Sequence, residues 1–257
     1  SGGEDGAALY SNLTAAQERQ EVSDLLSAAG IGNVAIKTFF ALCKDYNDVV
    51  GDQPYFQEGF APLPKGGVDY DAEDTYSLWM DQRSYSDANC RITAYGLMRG
   101  QITAAAPGTA DSFLAGDQDA LDHYTQCGLS EEEKGVFYAL FNPASVAATT
   151  DAKAVSDAFL AEWKARGIAF QEGDARLISV VFNSELDDIA YVGHAGVLVP
   201  DGDGWLFVEK YAPAYPYQAA KFQTRDEVED YLMGRFGEQY TKGVTAKPFL
   251  LENDRPF

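Results

Sequence analysis

Apolar residues recur along the chain with two different periods, and the change of period divides it. Between Ala15 and Ala29, Val22, Leu25, Leu26 and Ala29 fall on one face at helical spacing. Thr14-x-x-Gln17 stands before them, a pattern in which hydroxyl and amide each satisfy a free backbone donor at a helix start. Gly30-Ile31-Gly32 ends this helix. A second is predicted over about 34–49, with Ile36, Phe39, Phe40 and Cys43 inward. Residues 51–70 hold three prolines and four glycines and read as an irregular loop. Short helices are predicted over 74–82 and within 86–100. Ser130-x-x-Glu133 opens a helix to about Phe141, and 149–166 reads as a long one with Ala154, Val155, Ala158, Phe159 and Trp163 inward.

The texture then changes. Segments 175–182, 189–199 and 205–210 are rich in Val, Ile, Leu, Phe and Tyr and read as strands, the last two joined by a turn at 200–204. Thr224-x-x-Glu227 opens a further helix to about Phe236, and 247–252 reads as a final strand. Helices first and antiparallel strands later predict an α+β fold, a helical N-terminal part packed on a C-terminal antiparallel sheet. Residues 1–12 open with small polar side chains that have nothing to bury and read as a tether, leaving 13–257 as one domain.

Composition excludes several classes. The longest apolar runs, 177–182 and 195–199, fall far short of the ~18–20 residues of a membrane-spanning helix. Forty acidic residues against 19 basic ones give a net charge of −21 with no Lys/Arg cluster, which argues against nucleic acid. With 15 Tyr, 15 Phe and 3 Trp, the chain is too aromatic for a disordered acidic tail. Ser1 in place of Met is the opening of a lipoprotein trimmed after its lipid-bearing cysteine, and equally of a cloning scar or a truncation. The three cysteines form no C-x-x-C pair, so neither a disulfide scaffold nor a thiol-rich zinc site is expected, and no cofactor. Cys43 and Cys127 are left open between a bridge and free thiols. Any imidazole chemistry falls to His123 or His194.

Ser86-Asp87-Ala88-Asn89 offers capping side chains just ahead of the apolar run 92–98, which places Cys90 in or beside a first helical turn. Free N–H groups and the positive end of the helix dipole favour a thiolate there and could hold an oxyanion. His194 sits mid-strand in an apolar run between Gly193 and Gly196, glycines that mark a place where backbone or ligand comes close. Thiol and imidazole make a nucleophile–base pair. Hairpin parity selects the third member: a loop with an even number of residues, such as a four-residue turn, puts Glu209 on the face of His194, and an odd one puts Lys210 there.

Asn89-Cys90 at a helix start, then His194-Ala195-Gly196-Val197-Leu198-Val199, a Gly-Asp turn and Trp205-Leu206-Phe207-Val208-Glu209, resembles the NlpC-type branch of the papain-like cysteine peptidases. The chain also resembles a bacterial lipoprotein family of unknown function, through Asn89-Cys90-Arg91 and the His194 strand with Phe207-Val208-Glu209-Lys210. The resemblance implies a papain-like architecture, a Cys90–His194–Glu209 site and cleavage of amide bonds in cell-wall peptides outside the cytoplasm. It also implies attachment to the membrane through an N-terminal lipid alone. Cys90 and His194 are further apart than in that branch, so 101–173 is expected as a helical insertion. Asn89 stands where an Asp is usual, and Arg91 where a small residue is common.

Tyr85 or Asn89 could donate to the oxyanion, and Arg91 could pair with a substrate carboxylate. The segment 211–217, with two prolines and three tyrosines, reads as cleft wall or as packing. His123 is expected at the surface and the protein as a monomer. Two other readings stay open: a binding lipoprotein of the same fold without the chemistry, and an adhesion protein holding calcium at Asp201-Gly202-Asp203.

Overall fold

Helix starts in this chain lie where a side chain or a buried neighbour fixes the entry of the backbone. The computed structural model describes residues 7–71 and 73–257. Its α-helices are α1 (Ala16–Ala28), α2 (Asn33–Val50), α3 (Glu73–Gln82), α4 (Cys90–Met98), α5 (Ala115–His123), α6 (Glu131–Phe141), α7 (Ala152–Ala165) and α8 (Arg225–Phe236). At α6 the capping box forms in full: Ser130 Oγ accepts from Glu133 N–H at 3.1 Å and Glu133 accepts from Ser130 N–H at 3.0 Å. Ser130→Ala is expected to cost about 1 kcal/mol, read as a lowered unfolding midpoint; an unchanged midpoint would show the cap to be dispensable. At α8 only half the box forms, because Glu227 accepts from Gln223 N–H at 2.8 Å. The predicted Thr14–Gln17 box is absent. Buried Leu13, at φ 59°, sets the chain's entry, and Ala15 becomes an N-cap without a side-chain bond. The inward stripe of α7 is Val155, Phe159 and Trp163, spaced by four; Ala154 and Ala158 face solvent instead.

The strands are β1 (Leu9–Ser11), β2 (Ala61–Pro62), β3 (Ile102–Thr103), β4 (Ala144–Ser145), β5 (Ala169–Phe170), β6 (Arg176–Ser184), β7 (Ile189–Asp201), β8 (Gly204–Lys210), β9 (Tyr217–Phe222), β10 (Phe249–Glu252) and β11 (Arg255–Pro256). The main sheet runs β11-β10-β6-β7-β8-β9-β1-β2, with β4 also against β7, and its pairs are antiparallel. The fold class is α+β. Segment 101–173 carries α5, α6 and α7, and β4 ties it to the sheet.

The expected tether over 1–12 includes residues that the sheet takes up. Residues 1–6 lie outside the described residues, and 9–12 belong to the domain. β1 pairs along β9 with Tyr10 opposite Ala220, supplying backbone partners that this edge would otherwise lack. Buried Asn12 anchors it, donating to Tyr70 Oη at 2.8 Å and Tyr217 O at 3.1 Å and accepting from Gln57 N–H at 2.7 Å. β9 itself escaped the sequence pattern because its Gln, Ala and Lys residues are poor strand formers, and pairing with β8 overrides that preference.

Alternation along β8 divides the sheet's two faces. Leu206 and Val208 join the main core, and Phe207 joins the smaller core with Val228, Tyr231 and Leu232 of α8. α4 packs against α2 and against β7 and β8. It therefore sits between the helical layer and the sheet, and α8 covers the opposite face.

Candidate active site

Asn89 caps α4 with extended backbone, and its Oδ1 accepts from Ile92 N–H at 2.9 Å. Cys90 is thus the first helical residue. The N–H groups of Cys90 and Arg91 have no acceptor within the helix, and the dipole's positive end lies at the sulfur. Asn89 Nδ2 donates to Asp117 Oδ2 at 2.8 Å, and Asp117 takes the Arg91 fork in two bonds, 2.9 and 2.7 Å. The cap is therefore fixed from α5 as well as from its own helix.

His194 is aimed by a β-bulge. Val180 pairs with His194 but Val181 pairs with Val192, which leaves Gly193 as the extra residue. A bulge bends its strand and re-aims the side chain beside it. A Cβ on Gly193 would lie 2.3 Å from the Phe182 ring, and one on Gly196 2.2 Å from the Phe207 ring. The close approach that these glycines signal in the sequence is that of aromatic rings.

The pairing of β8 with β7 ends at Val208 opposite Val197. The start of α4 meets β7 beyond that point. Arg91 Nη1 donates to Val192 O at 3.1 Å, and Cys90 Sγ lies 4.0 Å from Gly193 O. The sulfur and the imidazole of His194 favour each other's charged forms.

The hairpin turn is tighter than predicted: Asp201 pairs with Gly204, which leaves the two-residue loop Gly202-Asp203. Two is also even, so Glu209 falls on the face of His194. Its Oε1 meets His194 Nε2 at 2.9 Å, leaving Nδ1 for the thiol. Tyr231 Oη donates to Glu209 Oε2 at 2.9 Å, and Arg235 Nη1 donates to Oε1. The guanidinium of Arg235 lies 3.6 Å from the Tyr211 ring centroid, and Phe236 stacks on the imidazole at 4.9 Å and 28°.

The charges reinforce one another. Burial alone would raise the carboxyl of Glu209, but Arg235 and His194 hold it down at about 2. Burial also opposes the thiolate of Cys90, but the charges of His194 and Arg91 and the backbone of Ala195 outweigh it and lower that pKa. Burial and Arg235 push His194 down, whereas the sulfur and Glu209 bring it above its ordinary value. All three thiols are free. Burial raises Cys43, and it pushes Cys127 up to about 12, so Cys90 alone moves towards the thiolate.

The structure brings Cys90, His194 and Glu209 together. Asn89 and Arg91 flank the sulfur, with Arg91 engaged by Asp117. The Tyr85 ring stacks on Tyr124 at 5.1 Å, and its carbonyl accepts from Trp79 Nε1. His123 is exposed and pairs with Asp119 at 3.0 Å. Asp201 faces Lys221 at 3.8 Å, and among the described residues no group of three His, Cys, Asp or Glu could hold a metal ion. Within 211–217, Tyr217 is buried in the core while Pro213 and Ala214 line a cavity. Sequence reasoning missed Asp117, Tyr231 and Arg235. The last two share a helix face at i, i+4, a signal that was legible; Asp117 left none.

The family described as "Domain of unknown function (DUF4300)" matches residues 9–257, nearly the whole chain. Comparison with curated proteins and with solved structures finds no match.

Proposed function

The chain belongs to the DUF4300 family, and within it we propose a thiol hydrolase that cleaves amide bonds through Cys90, His194 and Glu209. The observation that carries the reading is a thiol at a helix start, lowered by the charge of an imidazole whose Nε2 is held 2.9 Å from a buried carboxylate. His194 takes the Cys90 proton and the sulfur attacks the amide carbonyl carbon. The N–H groups of Cys90 and Arg91 hold the oxyanion. The proton passes to the leaving nitrogen as the C–N bond breaks, giving a thioester and a free amine. Water, deprotonated by His194, then cleaves the S–C bond, and the thiol regains its proton. Glu209 fixes the ring's orientation and supports its positive charge throughout.

Resemblance to the NlpC-type branch supports the papain-like comparison and points to cell-wall peptides as substrates. A place outside the cytoplasm, with an N-terminal lipid as the only hold on the membrane, belongs to the same reading. Among the described residues no helix is long and apolar enough to cross a membrane.

Alkylation tests the reading. At pH 6–7 iodoacetamide is expected to modify Cys90 on the order of 100-fold faster than Cys43 or Cys127, read by peptide mass spectrometry. Equal, slow reaction of all three would leave the alternative, a binding lipoprotein without the chemistry.

A further inference from the structure

We propose that the cavity of about 320 Å³ at the start of α4 is a subsite for a neutral apolar or aromatic side chain beside the amide that Cys90 attacks. The proposal rests on the thiol-hydrolase reading. Asn89 and Arg91, the neighbours of Cys90 on either side, both line the cavity, so a peptide lying in it reaches the open end of α4.

Its rim is apolar. Tyr76 and Met80, one turn apart on α3, and Phe113 are 57%, 45% and 36% exposed, large apolar side chains gathered at one opening. Such grouping marks a binding surface, where scattered exposure would not. Thioether and aromatic faces accept apolar groups of varied shape.

The charges in its wall are paired, and one buried acceptor, Asp87 Oδ1, is left without a hydrogen bond. Asp117 holds Arg91 in two bonds, and Asp87 pairs with Lys210 at 2.8 Å, where Lys210 is sealed beneath the rings of Tyr46 and Tyr217. An acidic substrate group would have to break one of these buried pairs or enter without a partner, and both are costly. A neutral side chain displaces only water from the rim. Arg91 therefore acts as a strut between α5 and β7 and offers no free fork to a substrate carboxylate. The volume is at the low end for ligand cavities, about right for one large side chain and its backbone.

The test measures Cys90 labelling in the intact chain by three electrophiles: iodoacetamide, N-chloroacetyl-phenylalaninamide and N-chloroacetyl-glutamic acid amide. The phenylalanine probe is expected to label Cys90 at least ~10-fold faster than the glutamic acid probe. Met80→Lys and, separately, Phe113→Gln, both at the solvent-facing rim, are expected to bring that ratio close to one. Fast iodoacetamide labelling with equal rates for the two probes, or with the acidic probe faster, overturns the subsite and leaves the hydrolase reading standing. Slow iodoacetamide labelling of Cys90 in the unsubstituted chain overturns the hydrolase reading itself.

Discussion

Glu209→Ala is expected to cost about 3–5 kcal/mol of folding stability, the range for removing one partner of a buried ion pair. The carboxylate is buried at the end of β8 and accepts from three donors: His194, Tyr231 and Arg235. Without it the Arg235 side chain, 7% exposed, keeps its charge in the interior with no carboxylate beside it. Urea unfolding measures the loss, and a change under ~1 kcal/mol would show that the network does not hold α8 to the sheet. The double variant Glu209→Ala, Arg235→Met is expected to recover part of the loss, because the orphaned charge goes with its partner. The pH dependence follows from the direction of the shift. The folded carboxyl titrates at about 2, below its ordinary 4.5, so its stabilisation is complete above pH 4.5 and is lost as pH falls towards 2. This shift corresponds to about 3 kcal/mol, in line with the expected loss. The acid limb of the variant's stability curve is expected to be correspondingly shallower.

Cys90→Ala is expected to reduce amide hydrolysis by on the order of 10⁴-fold or more while the fold survives. Alanine suits the first turn of a helix, and α4 keeps its Asn89 cap. A variant hydrolysing within tenfold of the parent chain would remove Cys90 as nucleophile. The imidazole supplies a second readout. Once the sulfur is gone, burial and Arg235 both push His194 down, so its titration followed by NMR is expected to move to lower pH. With only two histidines in the chain, and His123 exposed, its signal is assignable. In the parent chain, activity is expected to rise as pH passes the lowered Cys90 pKa. It should fall again once His194, raised above 6.5, loses its proton.

Local signals were legible where short-range chemistry decides the outcome. Ser130 with Glu133 marked the start of α6 because both partners of that bond lie within four residues. Asn89 placed Cys90 at a helix start for the same reason. Parity carried Glu209 to the face of His194 even though the loop has two residues instead of four, because side-chain direction depends only on odd or even. Thr14 misled because buried Leu13, a tertiary contact, fixed the entry of α1.

By itself, then, the sequence determined the α+β class, the helix and strand periods, and three candidate side chains, Cys90, His194 and Glu209, that the fold brings together. These follow from spacing and capping along a few residues. Only the tertiary structure decided that Gly193 forms a bulge, that β7 meets α4 where β8 has left it, that Asp117 holds the cap, and that Arg235 with Tyr231 holds Glu209. Each of these joins groups remote along the chain. Their energies arise from burial and from charges brought within hydrogen-bond reach, quantities that no local pattern encodes.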